Sequence, residues 1–90
     1  MHESYLIAGL MKKLETVARD ERAKKISGIK VKLGALSHMS KDHFREHFEH
    51  ASKNTVAEGA SLEIQEMTDI HDANAQEIIL ESIELEEADA

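Results

Sequence analysis

Residues 28–36, Gly-Ile-Lys-Val-Lys-Leu-Gly-Ala-Leu, alternate between apolar and basic side chains over most of their length. Successive side chains of an extended strand point to opposite faces, so the apolar residues share one face and the lysines share the other. The apolar set is Ile29, Val31 and Leu33, and the basic set is Lys30 and Lys32. This alternation is typical of a strand that is buried on one face only. Gly34 marks either a bulge or the close approach of another backbone segment.

One amphipathic helix is predicted before this strand in the sequence, and a second is predicted after it. Residues 4–23 carry apolar side chains at helical spacing, and Ser4 is suited to cap the first turn. The apolar stripe of this first helix consists of Ile7, Met11, Leu14 and Ala18, widened by Leu6, Leu10 and Val17. The second helix starts at Ser37 or Ser40 and runs to about Lys53. Its apolar stripe consists of Phe44, Phe48 and Ala51.

Two further strands are predicted in the second half of the chain, over residues 60–67 and 77–86. Their apolar residues are Leu62 and Ile64 in the first and, at roughly alternate positions, Ile79, Ile83 and Leu85 in the second. Because only the short polar segment 68–75 joins them, we expect these two strands to pair antiparallel. The order of elements predicts an α/β (α+β) fold, a small two-layer sandwich of two helices on a three-stranded sheet, with residues 1–90 as a single domain.

Composition narrows the classes of function. The 90 residues are 41% hydrophobic and 32% charged, as expected for a soluble globular protein, and they include no cysteine. Disulfides, cysteine-based zinc sites and cysteine nucleophiles are thereby excluded, and a reducing compartment is favoured. The start does not resemble a signal peptide, and no run approaches the roughly 18 apolar residues of a membrane span. We expect a cytoplasmic protein that contacts no membrane.

Charge and the absence of catalytic motifs narrow the function further. The net charge of −7 argues against nucleic acid as a partner, because neutralising phosphates requires a basic surface. The sequence shows no nucleophile–base pair, phosphate-binding glycine loop or distinctive pair of carboxylates. We therefore expect that the protein is not an enzyme.

The chain opens Met1-His2-Glu3, a tripeptide with metal-binding chemistry. The Met1 amine and the His2 amide can close one chelate ring, and the same amide and the imidazole Nδ1 of His2 can close a second. Three nitrogens in one plane favour Ni(II) or Cu(II). Any chain that starts Met-His has these atoms, so the tripeptide is a weak signal by itself. The fourth donor stays open between the Glu3 amide, the Glu3 carboxylate, a water molecule and a second protein group.

Three histidines of the second helix, His43, His47 and His50, are spaced to lie along one helix face. A pair of histidines one turn apart can hold zinc or nickel. Because no cysteine or carboxylate in the pattern completes a closed site, we interpret the three as the polar flank of an amphipathic helix. A pH-sensitive surface is a weaker alternative. His38 and His71 are interpreted as solvent-exposed loop residues, although either could lend an axial ligand.

Several segments, in this order and spacing, resemble the HypA/HybF family of hydrogenase nickel-insertion proteins. They are Met1-His2-Glu3, the amphipathic first helix, residues 29–37, Phe44-x-x-x-Phe48, residues 56–64 and residues 77–85. The resemblance covers nearly the whole chain. It implies a small cytoplasmic nickel metallochaperone that binds Ni(II) through Met1, His2 and Glu3 and delivers it during the maturation of [NiFe]-hydrogenase.

The resemblance also implies partners, namely the hydrogenase large subunit precursor and a HypB-like maturation GTPase. An alternative of a different class is a protein-interaction or assembly module that binds a hydrogenase subunit or the GTPase but does not bind or deliver a metal. Either form could be a homodimer that pairs through an exposed sheet edge.

One large departure from the family lies between the second and third predicted strands. The family carries a zinc domain with two cysteine pairs there, whereas this chain has only a short loop at about 68–76 and no cysteine. An insertion between paired strands can be removed when a short loop closes the hairpin. We therefore expect a nickel-binding domain without a zinc domain and without a zinc site.

Overall fold

The computed structural model of this chain describes residues 2–87, with side chains described from Tyr5 onward. Its elements are α1 (His2–Asp20), β1 (Ala23–Leu33), α2 (Lys41–Ser52), β2 (Ser61–Glu66) and β3 (Ile78–Glu87). The strands form one sheet with the order β2-β1-β3, in which β1 is parallel to β2 and antiparallel to β3. Both helices pack against the inner face of this sheet. The predicted α/β sandwich of two helices on three strands is confirmed for the described residues.

The hydrophobic core lies between the two helices and the sheet. Its most completely buried large side chains come from three elements, α1, β1 and α2: Leu14, Ile26, Val31, Leu33, Phe44 and Phe48. The rings of Phe44 and Phe48 stack with their centroids 5.9 Å apart. The predicted stripe of α1 is confirmed, because its members Ile7, Met11, Leu14 and Ala18 are all buried. Neither helix between residues 2 and 87 combines the length and apolar composition that crossing a membrane requires.

The start of α1 differs from the sequence prediction. The helix begins at His2, so Ser4 lies within its first turn and the prediction that Ser4 is the N-cap is wrong. No proline or glycine interrupts this opening, and an acidic residue at position 3 suits the positive end of the helix dipole. Helical backbone can therefore continue back past Ser4.

The junction between α1 and β1 also lies earlier than predicted. The helix ends at Asp20, and Arg22 adopts a left-handed φ of 54° that turns the chain into β1 at Ala23. Residues 23–27 of β1 do not show the alternation of apolar and polar side chains by which the strand was predicted. Lys24 and Ser27 are extra residues without a partner on β3. Each such bulge shifts the side chains that follow to the opposite face.

Helix α2 begins as predicted, and of the two candidate caps Ser40 is the one used. Its hydroxyl accepts a hydrogen bond from the backbone N–H of His43 at 3.2 Å. This bond satisfies one of the N–H groups that have no partner within the helix. Ser37 is instead fully buried in the segment before the helix.

The predicted pairing of the second and third strands is wrong, because β2 and β3 lie on opposite sides of β1. Residues 67–77 do not close a hairpin between them but cross the end of β1. The N–H of Met67 donates to the carbonyl of Leu33 at 2.8 Å, and the N–H of Gly34 donates to the carbonyl of Glu77 at 2.9 Å. The central position suits β1 because this strand contributes more buried apolar side chains to the core than β2 or β3 does.

A bulge in β3 interrupts the alternation of its side chains. Leu80 pairs with Val31 and Ser82 pairs with Lys30, which leaves Glu81 as an extra residue. The side chains that pack against the core are consequently Ile78, Leu80, Ile83 and Leu85. Of the three apolar residues that the sequence analysis noted at roughly alternate positions, Ile83 and Leu85 pack against the core, whereas Ile79 lies opposite Lys32.

Gly34 marks a close backbone approach, one of the two options that the sequence left open. A Cβ atom at this position would overlap the carbonyl oxygen of Ala75 and would lie 2.5 Å from the carbonyl carbon of that residue. The neighbouring N–H of Leu36 donates to the carbonyl of Ala75 at 2.7 Å. The segment 67–77 is thereby held tightly against the end of β1.

Candidate metal centre

The predicted nickel donors fall at the start of the chain, where the structure describes only part of each residue or none of it. Met1 lies outside the described residues, and the side chains of His2 and Glu3 lie outside the described side chains. The backbone at His2 and Glu3 forms the start of α1. The first N–H groups of a helix have no acceptor within the helix, so a metal could take these amides without breaking the helical ladder. The tripeptide therefore stays a prediction as a metal site.

Both helices begin at the same end of the sheet. Leu33, the last residue of β1, pairs with Ile78 at the start of β3 and with Glu66 at the end of β2. The first turns of α1 lie beside this end, because Leu6 lines a cleft together with Ile78. Helix α2 starts there as well, since the N–H of Lys41 donates to the carboxylate of Glu66 at 2.9 Å. The positive ends of two helix dipoles thus lie at one end of the molecule.

The structure brings together two of the three histidines that the sequence placed on one helix face. The rings of His43 and His47 have centroids 4.6 Å apart and planes inclined by 53°. Both are half-buried, whereas His50 is exposed. His38 and His71 are exposed, which confirms their interpretation as loop residues at the surface. Between residues 5 and 87, no three or more His, Cys, Asp or Glu side chains are grouped to hold a metal ion.

The sequence did not single out the exposed cleft between α1 and β3, whose lining includes the charged residues Lys13 and Glu77. Tyr5 is 80% exposed, and it lines a cleft of about 280 Å³ together with Leu6, Gly9, Ile78 and Leu80. The position of Tyr5 outside the apolar stripe of the helix could have indicated this cleft, because a large aromatic residue there cannot join the core.

The outer face of the sheet carries paired charges rather than a binding site of one sign. The Lys30 ammonium lies 3.2 Å from a Glu63 carboxylate oxygen, and the Lys32 ammonium lies 3.8 Å from Glu81. The hydrogen bond to Glu63 and the negative charge of that carboxylate raise the pKa of Lys30, with a smaller contribution from Glu81. On this face the two lysines of β1 are thus matched by carboxylates of the neighbouring strands.

Comparison with known proteins assigns the chain to a family. The family described as "Hydrogenase/urease nickel incorporation, metallochaperone, hypA" matches residues 1–85. The chain belongs to the HypA family. The match starts at the first residue, so the opening tripeptide lies within the matched region.

Individual relatives agree with this assignment. The hydrogenase maturation factor HypA of Bradyrhizobium sp. (strain ORS 278) is 38% identical over 66 residues, which cover 73% of this chain and 58% of the relative. The HypA of Archaeoglobus fulgidus is 34% identical over 64 residues, which cover 71% of this chain and 58% of the relative. The chain thus spans about 58% of the length of the curated relatives it matches.

A solved structure shares the fold. The solution structure of the Ni metallochaperone HypA from Helicobacter pylori matches with a TM-score of 0.77 over 98% of this chain and 100% of that chain. The sequence identity is 22%, so this similarity bears on the fold alone.

Proposed function

We propose that this HypA family member is a nickel-binding metallochaperone that delivers Ni(II) during the maturation of [NiFe]-hydrogenase, from a site at Met1, His2 and Glu3. The observation that carries the proposal is the family match over residues 1–85, which includes this tripeptide and nearly the whole fold. The described part of the chain offers no competing cluster of three or more metal-binding side chains.

The chemistry of the tripeptide supports nickel as the cargo. The Met1 amine, the His2 amide and the His2 imidazole supply three nitrogen donors of the kind that square-planar Ni(II) prefers. The start of α1 leaves the first amides without helical acceptors and favours negative charge, so it suits a deprotonated amide. Because these donors must lose protons to bind, affinity falls as the pH is lowered.

Delivery requires that the metal can leave. A site at the end of the chain is open to ligand exchange, whereas a metal enclosed by four buried ligands could not be handed on. The proposed recipient is the hydrogenase large subunit precursor, and the proposed helper is a HypB-like GTPase. The protein acts by binding and transfer rather than as an enzyme, and its proposed location is the cytoplasm.

We also propose that residues 1–90 form a single nickel-binding domain without a zinc domain. No cysteine is present to build a cysteine-based zinc site. The place of that domain is taken by residues 68–76, which belong to the segment held against the end of β1 by the hydrogen bonds of Gly34 and Leu36. Nickel is therefore the proposed cargo.

The test is a calorimetric Ni(II) titration of untagged protein, of His2→Ala and of His71→Ala. His71 is an exposed loop histidine, so its variant controls for the loss of one surface imidazole. We expect one high-affinity site in the untagged protein and in His71→Ala, and its loss in His2→Ala. Residues added before Met1 should abolish the same site, because they convert the amine into an amide.

Maturation separates delivery from the alternative of a metal-free interaction module. Hydrogenase activity is measured in cells that carry His2→Ala in place of the wild-type chain, and binding to the large subunit precursor is measured by co-purification. Lost activity with retained binding supports delivery. Full activity with no nickel bound by the variant would overturn the proposal and favour the interaction module.

A further inference from the structure

The His43–His47 pair on α2 is a second place where this chain presents metal-binding nitrogens. The two imidazoles lie one helical turn apart with ring centroids 4.6 Å apart. Residues four apart on a helix are neighbours on its surface, so two rings in this arrangement can direct one nitrogen each toward a shared ion. His50 belongs to the same stripe in sequence but is exposed and forms no such ring contact in the described chain.

The pair is held in place by the packing of α2. Phe44 and Phe48 follow the two histidines directly in sequence and are 0% and 1% exposed, so they fix the rotation of the helix on the sheet. The Ser40 hydroxyl caps the helix through the N–H of His43. Both histidines are half-buried, which limits the rotamers that their rings can adopt. A pair fixed in this way loses little further freedom when it binds an ion.

The pair also lies on a particular side of α2. Arg45, Glu49 and Ser52 line a depression together with Ala60 and Leu62, so that flank of the helix faces β2. The histidines occupy the opposite flank of the same helix, and α2 packs against α1 as well as β2. By helical spacing the pair therefore lies on the flank away from β2, in the first two turns of α2.

The ligand type selects the class of ion. Neutral imidazole suits Ni(II), Cu(II) and Zn(II), whereas Mg(II) and Ca(II) prefer oxygen ligands. His43 and His47 supply two nitrogen ligands, and residues 5–87 contain no group of three or more His, Cys, Asp or Glu side chains that would enclose an ion. The net charge of −7 adds a general attraction for cations.

We propose that His43 and His47 together bind a second divalent transition-metal ion, distinct from the ion proposed at Met1, His2 and Glu3. A site with two histidine ligands binds its ion less firmly than a closed four-ligand site, so the ion exchanges readily. It goes beyond the proposed function, since it requires neither the N-terminal donors nor a hydrogenase partner.

The experiment is a calorimetric Ni(II) titration in a His2→Gln background, which removes the N-terminal imidazole. Further variants in that background are His43→Gln, His47→Gln and, as the matched control on the same helix, His50→Gln. We expect residual nickel binding in the background and in the control. Either of the other variants should weaken it roughly tenfold or more, since even partners that only support a ligand contribute 10–100-fold to metal affinity.

A second readout identifies the ligands directly. Zn(II) is added to the same proteins, and the imidazole proton resonances of all histidines are followed by NMR. The resonances of His43 and His47 should shift together with added metal, while those of His50 and His71 stay in place. Circular dichroism of each variant checks that α2 is intact.

Two results would overturn the proposal: no residual binding in the His2→Gln background, or equal residual binding in all three further variants. Neither result bears on the N-terminal site, which is judged from the difference between wild type and the His2 variant. Conversely, an unchanged titration on His2 substitution would refute the N-terminal site while the His43–His47 pair is still judged by its own variants.

Discussion

Substituting Gly34 by alanine should destabilise the protein because the position has no room for a side chain. The added Cβ would overlap the carbonyl group of Ala75 and would lie 2.6 Å from the carbonyl oxygen of Asn74. These are backbone atoms, so no flexible side chain can move aside. The segment 67–77 must shift away, which strains the hydrogen bonds that Gly34 and Leu36 donate to Glu77 and Ala75.

The expected magnitude follows from these two effects. Overpacking a tightly filled site costs about 1–3 kcal/mol. A weakened backbone hydrogen bond costs about 1 kcal/mol. We expect Gly34→Ala to lower the free energy of unfolding by about 2–4 kcal/mol, a large share of the 5–15 kcal/mol typical of a domain. The melting temperature should fall by about 10 °C or more, given 4–8 °C per kcal/mol for a domain of this size.

The assay is urea unfolding followed by circular dichroism, with Gly9→Ala as the matched control. Gly9 lies in the middle of α1, and a Cβ atom there meets nothing within 4 Å. Alanine is the better helix former, so the control should be more stable by about 0.5–1 kcal/mol. If Gly34→Ala lies within about 0.5 kcal/mol of wild type, the tight seating of residues 67–77 on β1 is refuted.

Three further predictions concern the core, the cap of α2 and the outer face. Phe44→Ala should cost about 3–5 kcal/mol in urea unfolding, since this ring is fully buried, and a loss under 1 kcal/mol would contradict its place in the core. Ser40→Ala should cost about 1 kcal/mol by removing the N-cap, and Ser40→Asp should restore most of it; equal stability of all three proteins would count against the cap. Glu63→Gln should lower the pKa of Lys30 in an NMR titration, because Glu63 is the main cause that raises this pKa. A raised lysine pKa stabilises the folded state below about pH 10.5, and this contribution disappears as the pH rises through the pKa of the folded state. If Glu63→Gln leaves the Lys30 titration unchanged, the ion pair does not form in solution.

Local patterns predicted the secondary structure of this chain well. The alternation of Ile29, Val31 and Leu33 marked the half-buried strand, and the spacing of Phe44 and Phe48 marked α2. Such signals depend only on residues near each other in the chain, because the period of a helix or strand decides which side chains share a face. The Ser40 cap belongs to the same class of short-range signal.

Strand order and side-chain facing did not follow from local patterns. A short polar segment between two strands suggested a hairpin, but residues 67–77 make their hydrogen bonds to the end of β1 instead. The bulge at Glu81 reverses the alternation within β3 and moves Ile79 to the outer face. A bulge depends on the register of the partner strand, which is absent from the sequence of β3 itself.

The two candidate metal sites also differ in how far the sequence alone predicts them. Met1-His2-Glu3 is a contiguous chelating sequence, so the chain alone predicts it, and it remains a prediction. Helical spacing alone could not show that His43 pairs with His47 while His50 is exposed, since all three share one face of α2.

Residue order along the chain was thus enough to specify the helices, the strand periodicity and the family resemblance, because each depends on short-range spacing or chemical identity. The central position of β1, the bulges and the contact of Gly34 with Ala75 depend on tertiary structure. They arise when the apolar faces of distant segments are buried together, and the register that buries them best also sets which backbone groups meet.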